Sequence, residues 1–256
     1  MFIKNAVEQV IKSGIQPIVL DIARVKNFAG DIEGVRTSLI VNSLDLGVLT
    51  ANEYRFVARR SQQGSSLVAR NIERLFYFYP ELKAENKGAK FFTVSVYART
   101  LKNNELYSTL IENFEKFPLV ERDKICIELS ADLLFEDLEF YAKAIRDIRQ
   151  LGVKVALCEV GEEFCPLLRL VGLEFDYAFL DKYVATQLEL DGGDVAVAGL
   201  MSIVSIRPVR IYAFGLNSEE EIKRFESIGC DGYTAVGDPE VFLKNWRMGS
   251  EVKLYE

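Results

Sequence analysis

Short apolar runs alternate with amphipathic segments through the second half of the chain. Three of these runs end in an acidic residue, at Glu128, Glu159 and Asp181. The segments between them carry apolar residues at helical spacing, and repeats of strand, helix and strand predict a parallel sheet. In a parallel barrel, the functional residues lie at the carboxyl ends of the strands. We therefore expect these three acidic side chains to lie where a site would be built.

The same patterns predict elements along the rest of the chain. Residues 80–90 begin with Pro80 and are rich in charge, so we expect a loop there. Residues 195–205 favour an apolar helix over a strand. The second strand follows the first through a short turn, which favours antiparallel pairing of the two. Outside the central stretch, the expected strands are 15–22, 32–42, 91–97, 209–214 and 232–236, and the expected helices are 3–13, 50–79 with a break at 63–64, 104–117, 195–205, 218–228 and 239–246.

Length and charge limit the class of protein. A chain of 256 residues with eight strand candidates and no linker or internal repeat predicts one α/β domain over 1–256. The formal net charge is −7 and no basic block is present, so nucleic acid and anionic membrane surfaces are not expected partners. The longest nearly apolar run, 195–206, is shorter than the ~20 residues that cross a bilayer. We expect a cytoplasmic protein.

The content of histidine and cysteine limits the chemistry. The chain has no histidine, which excludes histidine-based triads and histidine metal ligands. Its four cysteines, Cys126, Cys158, Cys165 and Cys230, lack metal-binding spacing and are expected to be free thiols in a reducing compartment. Any acid–base chemistry must therefore use carboxylates, lysine, tyrosine or metal-bound water.

Several motifs occur in a fixed order that matches a known family. Glu128-Leu-Ser-Ala, Cys158-Glu-Val-Gly and Phe179-Leu-Asp-Lys resemble the Glu-Leu-Thr-Glu, Asp-Asp-Phe-Gly and Lys-Ile-Asp-Arg motifs of the bacterial EAL-domain family. Gln16-Pro-Ile resembles its opening Gln-Pro-Ile, and Glu33-Gly-Val falls where Glu-Ala-Leu gives the family its name. The resemblance implies a single TIM-like (β/α)8 barrel with an antiparallel second strand. It also implies a relation to the hydrolysis of the bacterial second messenger cyclic di-GMP.

The family's chemistry uses two hard divalent cations and a metal-activated water, and this chain lacks several of the residues for it. Carboxylates remain at Glu33, Glu128 and Glu159. If a metal is retained, we expect these three and Ser95 to be its ligands, with Mg²⁺ or Mn²⁺ as the ion. The family's polar residues are replaced at five positions, Ser95, Cys158, Phe179, Phe214 and Asn217. We therefore expect no catalytic residues and no cofactor.

Nucleotide binding without hydrolysis is a separate question. The family holds phosphate with an arginine two positions after its Glu-Ala-Leu, and that spacing gives Thr37 here. Arg36 is one residue early, so it would reach phosphate only if a bulge intervened, because a shift of one residue on a strand turns the side chain to the opposite face. Gln16 and Arg36 are the candidate ligand-binding residues.

The resemblance and the lost chemistry together lead to a ranked set of hypotheses. The first is a catalytically degenerate, non-enzymatic signalling regulator that acts through contact with a protein partner of unknown identity. The second is a cyclic di-GMP receptor that does not cleave its ligand. The third is a weak metal-dependent phosphodiesterase centred on Glu33, Glu128 and Glu159. The resemblance also suggests a homodimer.

Overall fold

A closed ring of strands forms the centre of the molecule. The structure, a computed structural model, describes residues 18–43, 47–59, 63–162, 166–216, 218–235 and 239–241. The strands are β1 (Ile18–Lys26), β2 (Ile32–Ser43), β3 (Gly47–Leu49), β4 (Phe91–Val96), β5 (Ile125–Ser130), β6 (Lys154–Val160), β7 (Tyr177–Leu180), β8 (Arg210–Leu216), β9 (Gly232–Ala235) and β10 (Pro239–Val241).

Eight of these strands close the barrel in the order β1-β2-β4-β5-β6-β7-β8-β9, with β9 returning to β1. Around this ring, each neighbouring pair from β2 through β9 is parallel. Strand β1 is antiparallel to both of its neighbours in the ring, β2 and β9. Strand β3 pairs with β2, and β10 pairs with β1. The predicted barrel and its antiparallel first pair are confirmed, and the strand that runs against the others is β1.

Helices surround the barrel, as in other (β/α)8 folds. The α-helices are α1 (Ala51–Ala58), α2 (Gln63–Glu85), α3 (Glu105–Lys116), α4 (Leu138–Gln150), α5 (Tyr183–Leu188), α6 (Gly193–Val204) and α7 (Glu219–Ser227), and the 3-10 helices are η1 (Ala98–Asn104), η2 (Arg122–Lys124), η3 (Ala131–Phe135) and η4 (Leu167–Gly172). No helix in the described part of the chain is long and apolar enough to cross a membrane.

Local sequence explains where several helices begin. The Asp137 side chain accepts hydrogen bonds from the backbone N–H groups of Glu139 and Phe140 and so caps α4. Ser218 and Glu221 form a capping box at the start of α7. These contacts satisfy backbone donors that have no partner within the helix.

Two of the predicted elements are wrong, and one prediction lies outside the described residues. The predicted loop at 80–90 is helical as far as Glu85, because α2 continues through Pro80 and buries Tyr79 and Leu82 completely against the barrel. Packing of this apolar stripe outweighs the hydrogen bond that a proline removes. The predicted helix at 239–246 begins as β10, which pairs with β1. The predicted helix at 3–13 lies outside the described residues.

Two separate apolar layers position the site. The larger layer lies between the outer face of the barrel and the helices. The smaller one fills the inside of the barrel with rings, among them Phe91, Tyr177, Phe179 and Tyr212. Gly34 leaves space for this filling, because a Cβ atom at Gly34 would lie 2.2 Å from the Phe91 ring. The aromatic filling closes the inside of the barrel and leaves polar side chains above it, toward the carboxyl ends of the strands.

Candidate functional site

Strand register brings a set of polar side chains together above the aromatic filling. Arg36 on β2 is level with Thr93 on β4, and Ser95 is level with Glu128 on β5. Ser130, two residues after Glu128, is level with Cys158 on β6. Side chains two residues apart on a strand point to the same face. The polar set therefore lies inside the barrel near the carboxyl ends of its strands, which is where the sequence predicted a site.

An ion pair between Arg36 and Glu128 lies at the centre of this set. Arg36 donates from Nε to Oε1 of Glu128 and from Nη2 to Oε2, both at 2.7 Å. The Arg36 side chain is 16% exposed and the Glu128 side chain only 1%. Two parallel, charge-assisted hydrogen bonds in a buried setting are a strong and geometrically defined contact. Glu128 is therefore neutralised within the chain.

The remaining acceptor positions of Glu128 are also occupied. The Thr93 hydroxyl donates to Oε1, and the Ser95 hydroxyl donates to Oε2 at 3.4 Å. An ionised carboxylate has about four lone-pair positions. Arg36 and the Thr93 hydroxyl occupy three of them, and the Ser95 hydroxyl faces the fourth. Glu128 is therefore bound by groups of the chain and poorly placed to hold a metal ion.

Two aromatic rings hold the Arg36 guanidinium in place. Its Cζ lies 4.3 Å from the centroid of the Phe179 ring and 4.7 Å from that of Phe214. A cation over an aromatic face is attracted by the ring quadrupole, more strongly where water is excluded. Burial alone would lower the pKa of Arg36, but the charge and hydrogen bonds of Glu128 raise it above its ordinary value. The guanidinium thus stays charged in this position.

Glu159 is a second carboxylate that is paired with arginine. It lies at an irregularity in the pairing of β6 with β7 and has a φ of 60°, a left-handed conformation that is uncommon for glutamate. Its Oε1 lies 2.7 Å from Nη1 of Arg55 on α1, and its Oε2 lies 3.8 Å from Nη1 of Arg59. The Ser130 hydroxyl also donates to Oε2. The bulge thus directs Glu159 to cations that come from α1.

Cys158 remains a neutral thiol. Burial raises its pKa well above the ordinary value, and the negative charges of Glu159 and Glu128 raise it further. Metal binding and nucleophilic attack both need the thiolate. In the neutral form that burial favours, Cys158 is a poor nucleophile and is not an anionic ligand.

The structure does not bring Glu33 together with Glu128 and Glu159, and this corrects the predicted ligand set. Glu33 lies at the amino end of β2, where Lys90 Nζ binds its carboxylate at 2.7 Å and Arg210, the first residue of β8, binds the other oxygen. The residue of β2 that reaches Glu128 is Arg36, three positions later. The expected carboxylate is thus replaced by a cation.

Arg36 points into the barrel because of strand register. The pairings of β2 from Gly34 to Val41 show no bulge, and Thr37 points outward, where its hydroxyl donates to the Thr93 carbonyl. The bulge that would have directed Arg36 to a phosphate in place of Thr37 is not observed there. Arg36 is engaged by Glu128 instead.

The other sequence-predicted positions divide into two groups. Phe179 and Phe214 lie against Arg36, and Ser95 contacts Glu128, so these residues belong to the site. Asp181 accepts a hydrogen bond from the Tyr183 N–H just before α5 and contacts neither central carboxylate in the hydrogen bonds of the described residues. Gln16 and Asn217 lie outside the described residues.

Sequence reasoning missed four residues of the site. Thr93, Ser130, Arg55 and Arg59 all contact one of the two central carboxylates, directly or at ion-pair distance. Thr93 could have been found from strand alternation, since it is two residues before Ser95. The two arginines carry no such signal, because their contacts depend on how α1 lies across the end of the barrel.

The donor set does not fit a divalent cation. Hard cations prefer several ionised or neutral oxygen ligands with free lone pairs. Among the described residues, no group of three or more aspartate, glutamate, cysteine or histidine side chains could hold a metal ion. Glu128 is bound by Arg36, Glu159 is paired and Cys158 is a thiol, so the residues present disagree with the metal site that the resemblance implied.

A closed parallel barrel with one antiparallel strand, helices around it and polar residues at its carboxyl end places the chain in the class of TIM-like (β/α)8 barrel proteins. The particular family follows from a family model: the EAL domain model matches residues 16–234, and the chain belongs to the EAL-domain family. No curated protein matches the chain by sequence.

Solved EAL structures share this fold at low sequence identity. The EAL enzyme Bd1971, in its cAMP and cyclic di-GMP bound form, is 16% identical with a TM-score of 0.78, over 91% of this chain and 64% of that one. The PaMucR phosphodiesterase in complex with cyclic di-GMP is 15% identical with a TM-score of 0.77, over 93% of this chain and 97% of that one. Klebsiella pneumoniae BlrP1 in its manganese and cyclic di-GMP complex is 14% identical with a TM-score of 0.72, over 87% of this chain and 55% of that one. This chain therefore spans less than two thirds of Bd1971 and BlrP1.

Proposed function

We propose that this protein is a non-enzymatic EAL-domain regulator of bacterial signalling that acts through contact with another protein. The observation that carries the proposal is the bidentate pair of Arg36 with Glu128, which fills the carboxylate nearest the centre of the site. A phosphodiesterase of this kind needs metal ions to polarise the phosphate and activate water. With its two central carboxylates bound to arginine, the chain is expected not to hydrolyse cyclic di-GMP and to need no cofactor.

Exposed apolar side chains support a role in protein contact. Leu168 and Val171 on η4 are 77% and 49% exposed, and Ile206 after α6 is 55% exposed. Ile206 lines an apolar cavity of about 30 Å³ with Leu170 and Ile203. Arg207 joins the two segments by donating to the Val171 carbonyl. We propose these exposed apolar side chains as the contact surface, because exposed apolar groups are what a protein partner would bury.

The second candidate function is binding of cyclic di-GMP without cleavage. PaMucR and Bd1971 have been solved with this nucleotide. In this chain, the predicted phosphate ligand Arg36 already binds Glu128, so a bound phosphate would compete with that pair. This competition is why we favour the protein-contact role. The third hypothesis, a weak Mg²⁺- or Mn²⁺-dependent phosphodiesterase, has less support because Glu33 lies apart from Glu128 and Glu159.

Calorimetric titration of cyclic di-GMP into the protein with Mg²⁺ present tests the proposal, followed by analysis of the recovered nucleotide. We expect neither heat nor cleavage. Binding without cleavage, reduced in the Arg36→Ala variant, would replace the proposal with the receptor hypothesis. Binding with cleavage would contradict it.

The setting and assembly are part of the same proposal. The described cysteines Cys126, Cys158 and Cys230 are free thiols, which suits the reducing cytoplasm. We also propose a homodimer, by analogy with the family. Light scattering over a range of protein concentrations tests this, and a mass equal to one chain at all of them would exclude it.

A further inference from the structure

We infer that the guanidinium of Arg36 takes the place of a divalent cation in this barrel, so that the chain supplies its own counter-ion to Glu128. The inference does not require a protein partner and can fail independently of that part of the proposed function. It concerns why the fold holds a buried carboxylate without a metal ion.

The buried charge of Glu128 needs a counter-ion. Glu128 is 1% exposed, and an ionised carboxylate that is buried this deeply needs a compensating charge. In a metal-dependent barrel that charge comes from the bound ions. Among the described residues, the side chain at ion-pair distance from Glu128 is Arg36, which contacts both of its oxygens. The guanidinium therefore provides the compensation that an ion would otherwise provide.

The shape of the site matches a guanidinium better than a metal ion. A divalent cation is a point charge that draws several ligands around itself, whereas a guanidinium is flat and has apolar faces. Phe179 and Phe214 present their rings to the guanidinium, and aromatic rings are poor ligands for a hard cation. The walls of this site thus fit a planar organic cation, and a metal ion in its place would have to keep water for part of its shell.

Neighbouring hydroxyl groups complete the surroundings of Glu128. Thr93 and Ser95 both donate to Glu128, one on each oxygen. They complete the hydrogen bonding that the arginine fork leaves open. Arginine, two hydroxyls and two rings together form a closed arrangement around one carboxylate.

Mn²⁺ alone is the probe for the test, measured through the thermal midpoint of unfolding and the electron paramagnetic resonance signal of free Mn²⁺. Wild-type protein is expected to show no rise in Tm and no loss of the free signal. Arg36→Gln removes the charge and keeps a polar side chain. This variant is expected to have a lower Tm at neutral pH and to regain part of the loss when Mn²⁺ is added.

Two control variants separate the cause of this response. Arg36→Gln combined with Glu128→Gln has no uncompensated carboxylate, so its Tm is expected not to respond to Mn²⁺. Arg146→Gln removes an exposed arginine on the surface of α4, away from the site, and it is expected to leave both readings unchanged.

Three outcomes would overturn the inference. One is binding of Mn²⁺ by the wild type that disappears in Glu128→Gln. Another is an Arg36→Gln variant with the Tm of the wild type. The last is an Arg36→Gln variant that loses stability and gains no response to Mn²⁺, because Arg36 would then be an ordinary ion-pair partner and not a substitute for a metal.

If Arg36→Gln does not fold, the test uses the wild type and Arg36→Lys, which keeps the charge and is expected to show no response to Mn²⁺. A Glu128-dependent response to Mn²⁺ in either of them would overturn the inference.

Discussion

At the scale of single residues, the barrel neutralises a buried carboxylate at each of its ends. Glu128 lies toward the carboxyl end and is bound by Arg36, while Glu33 lies at the amino end and is bound by Lys90 and Arg210. The cations come from other parts of the barrel: Arg36 from β2, Arg210 from the start of β8, and Lys90 from the position before β4. The two ends differ in exposure of the cation, since the Lys90 and Arg210 side chains are 50% and 45% exposed and Arg36 only 16%.

Glu33 gives a prediction about stability in acid. Burial raises the pKa of Glu33, but its bonds to Lys90 and the charge of Arg210 outweigh burial and hold the pKa below the ordinary 4.5. A lowered pKa stabilises the fold above the unfolded-state value, and this contribution is lost as pH falls through the folded-state value. Glu33→Gln is therefore expected to cost about 1.5–3 kcal/mol near neutral pH, where it loses charged hydrogen bonds.

The difference between Glu33→Gln and wild type should shrink as the pH falls below 4.5. Chemical denaturation at a series of pH values measures it. Glu115→Gln, at an exposed position of α3, serves as the control with no expected change. A deficit for Glu33→Gln that stays constant into acid would contradict the assignment of the lowered pKa to these ion pairs.

Backbone strain at Glu159 gives a second prediction at this scale. A φ of 60° favours glycine over residues with a Cβ atom. Glu159→Gly is therefore expected to be more stable than Glu159→Ala by about 0.5–1 kcal/mol, after the greater freedom of glycine in the unfolded chain is counted. Comparing these two variants cancels the loss of the contacts with Arg55 and Ser130.

The same pair of substitutions at Glu189 serves as the control. Thermal unfolding measures the stability of all four variants. Glu189 has a φ of −79°, an ordinary helical value. The order should reverse there, with alanine more stable than glycine. If the glycine and alanine variants had the same order of stability at both positions, the left-handed conformation at Glu159 would carry no strain.

At the scale of elements, Gly34 on β2 allows the barrel to be filled. The Phe91 ring lies where a Cβ atom of residue 34 would be, and Phe91 is completely buried among other rings. Gly34→Ala is expected to cost about 1–3 kcal/mol, because the ring cannot move without displacing its neighbours. Gly199→Ala, in α6 with no atom within 4 Å of the added methyl group, is expected to be neutral or stabilising. Thermal unfolding of both variants measures the difference, and equal effects would contradict the account of the filling.

The elements were largely predictable from hydrophobic pattern, and the exceptions have physical causes. Runs such as 125–130 are buried on both faces and read clearly as parallel strands. The prediction failed at Pro80, where tertiary packing of Tyr79 and Leu82 keeps α2 helical past a residue that usually ends a helix. Pro239 was assigned to a helix start, although it begins a short edge strand, another position that proline tolerates.

The candidate site was predicted in outline but not in register. Glu128 and Glu159 lie at the carboxyl ends of their strands, as the apolar runs before them predicted, whereas Asp181 accepts a hydrogen bond from the Tyr183 N–H. Glu33 was placed wrongly, since Glu-Gly-Val resembles Glu-Ala-Leu in letters while strand pairing sets the level of each residue in the barrel. The same pairing brings Arg36 to Glu128, and no pattern in the sequence marks a contact between residues 92 positions apart.

At the scale of the whole molecule, the chain has the closed EAL barrel with polar residues inside its carboxyl end. The closed ring of strands is common to this chain and the solved EAL structures, and in this chain aromatic rings fill its inside. The charged groups at the carboxyl end of the barrel pair with one another: Arg36 with Glu128, and Arg55 with Glu159. A barrel with a satisfied site can serve as a stable scaffold, and this is the basis for the proposed regulatory role.

The most direct test of this account is a measurement of cyclic di-GMP turnover by purified protein with Mn²⁺ or Mg²⁺ in excess. The account predicts no linear product above the level without protein, in wild type and in Glu128→Gln alike. Turnover by the wild type that disappears in Glu128→Gln would contradict it, because Glu128 would then be free to hold a metal ion and Arg36 would not be its permanent partner.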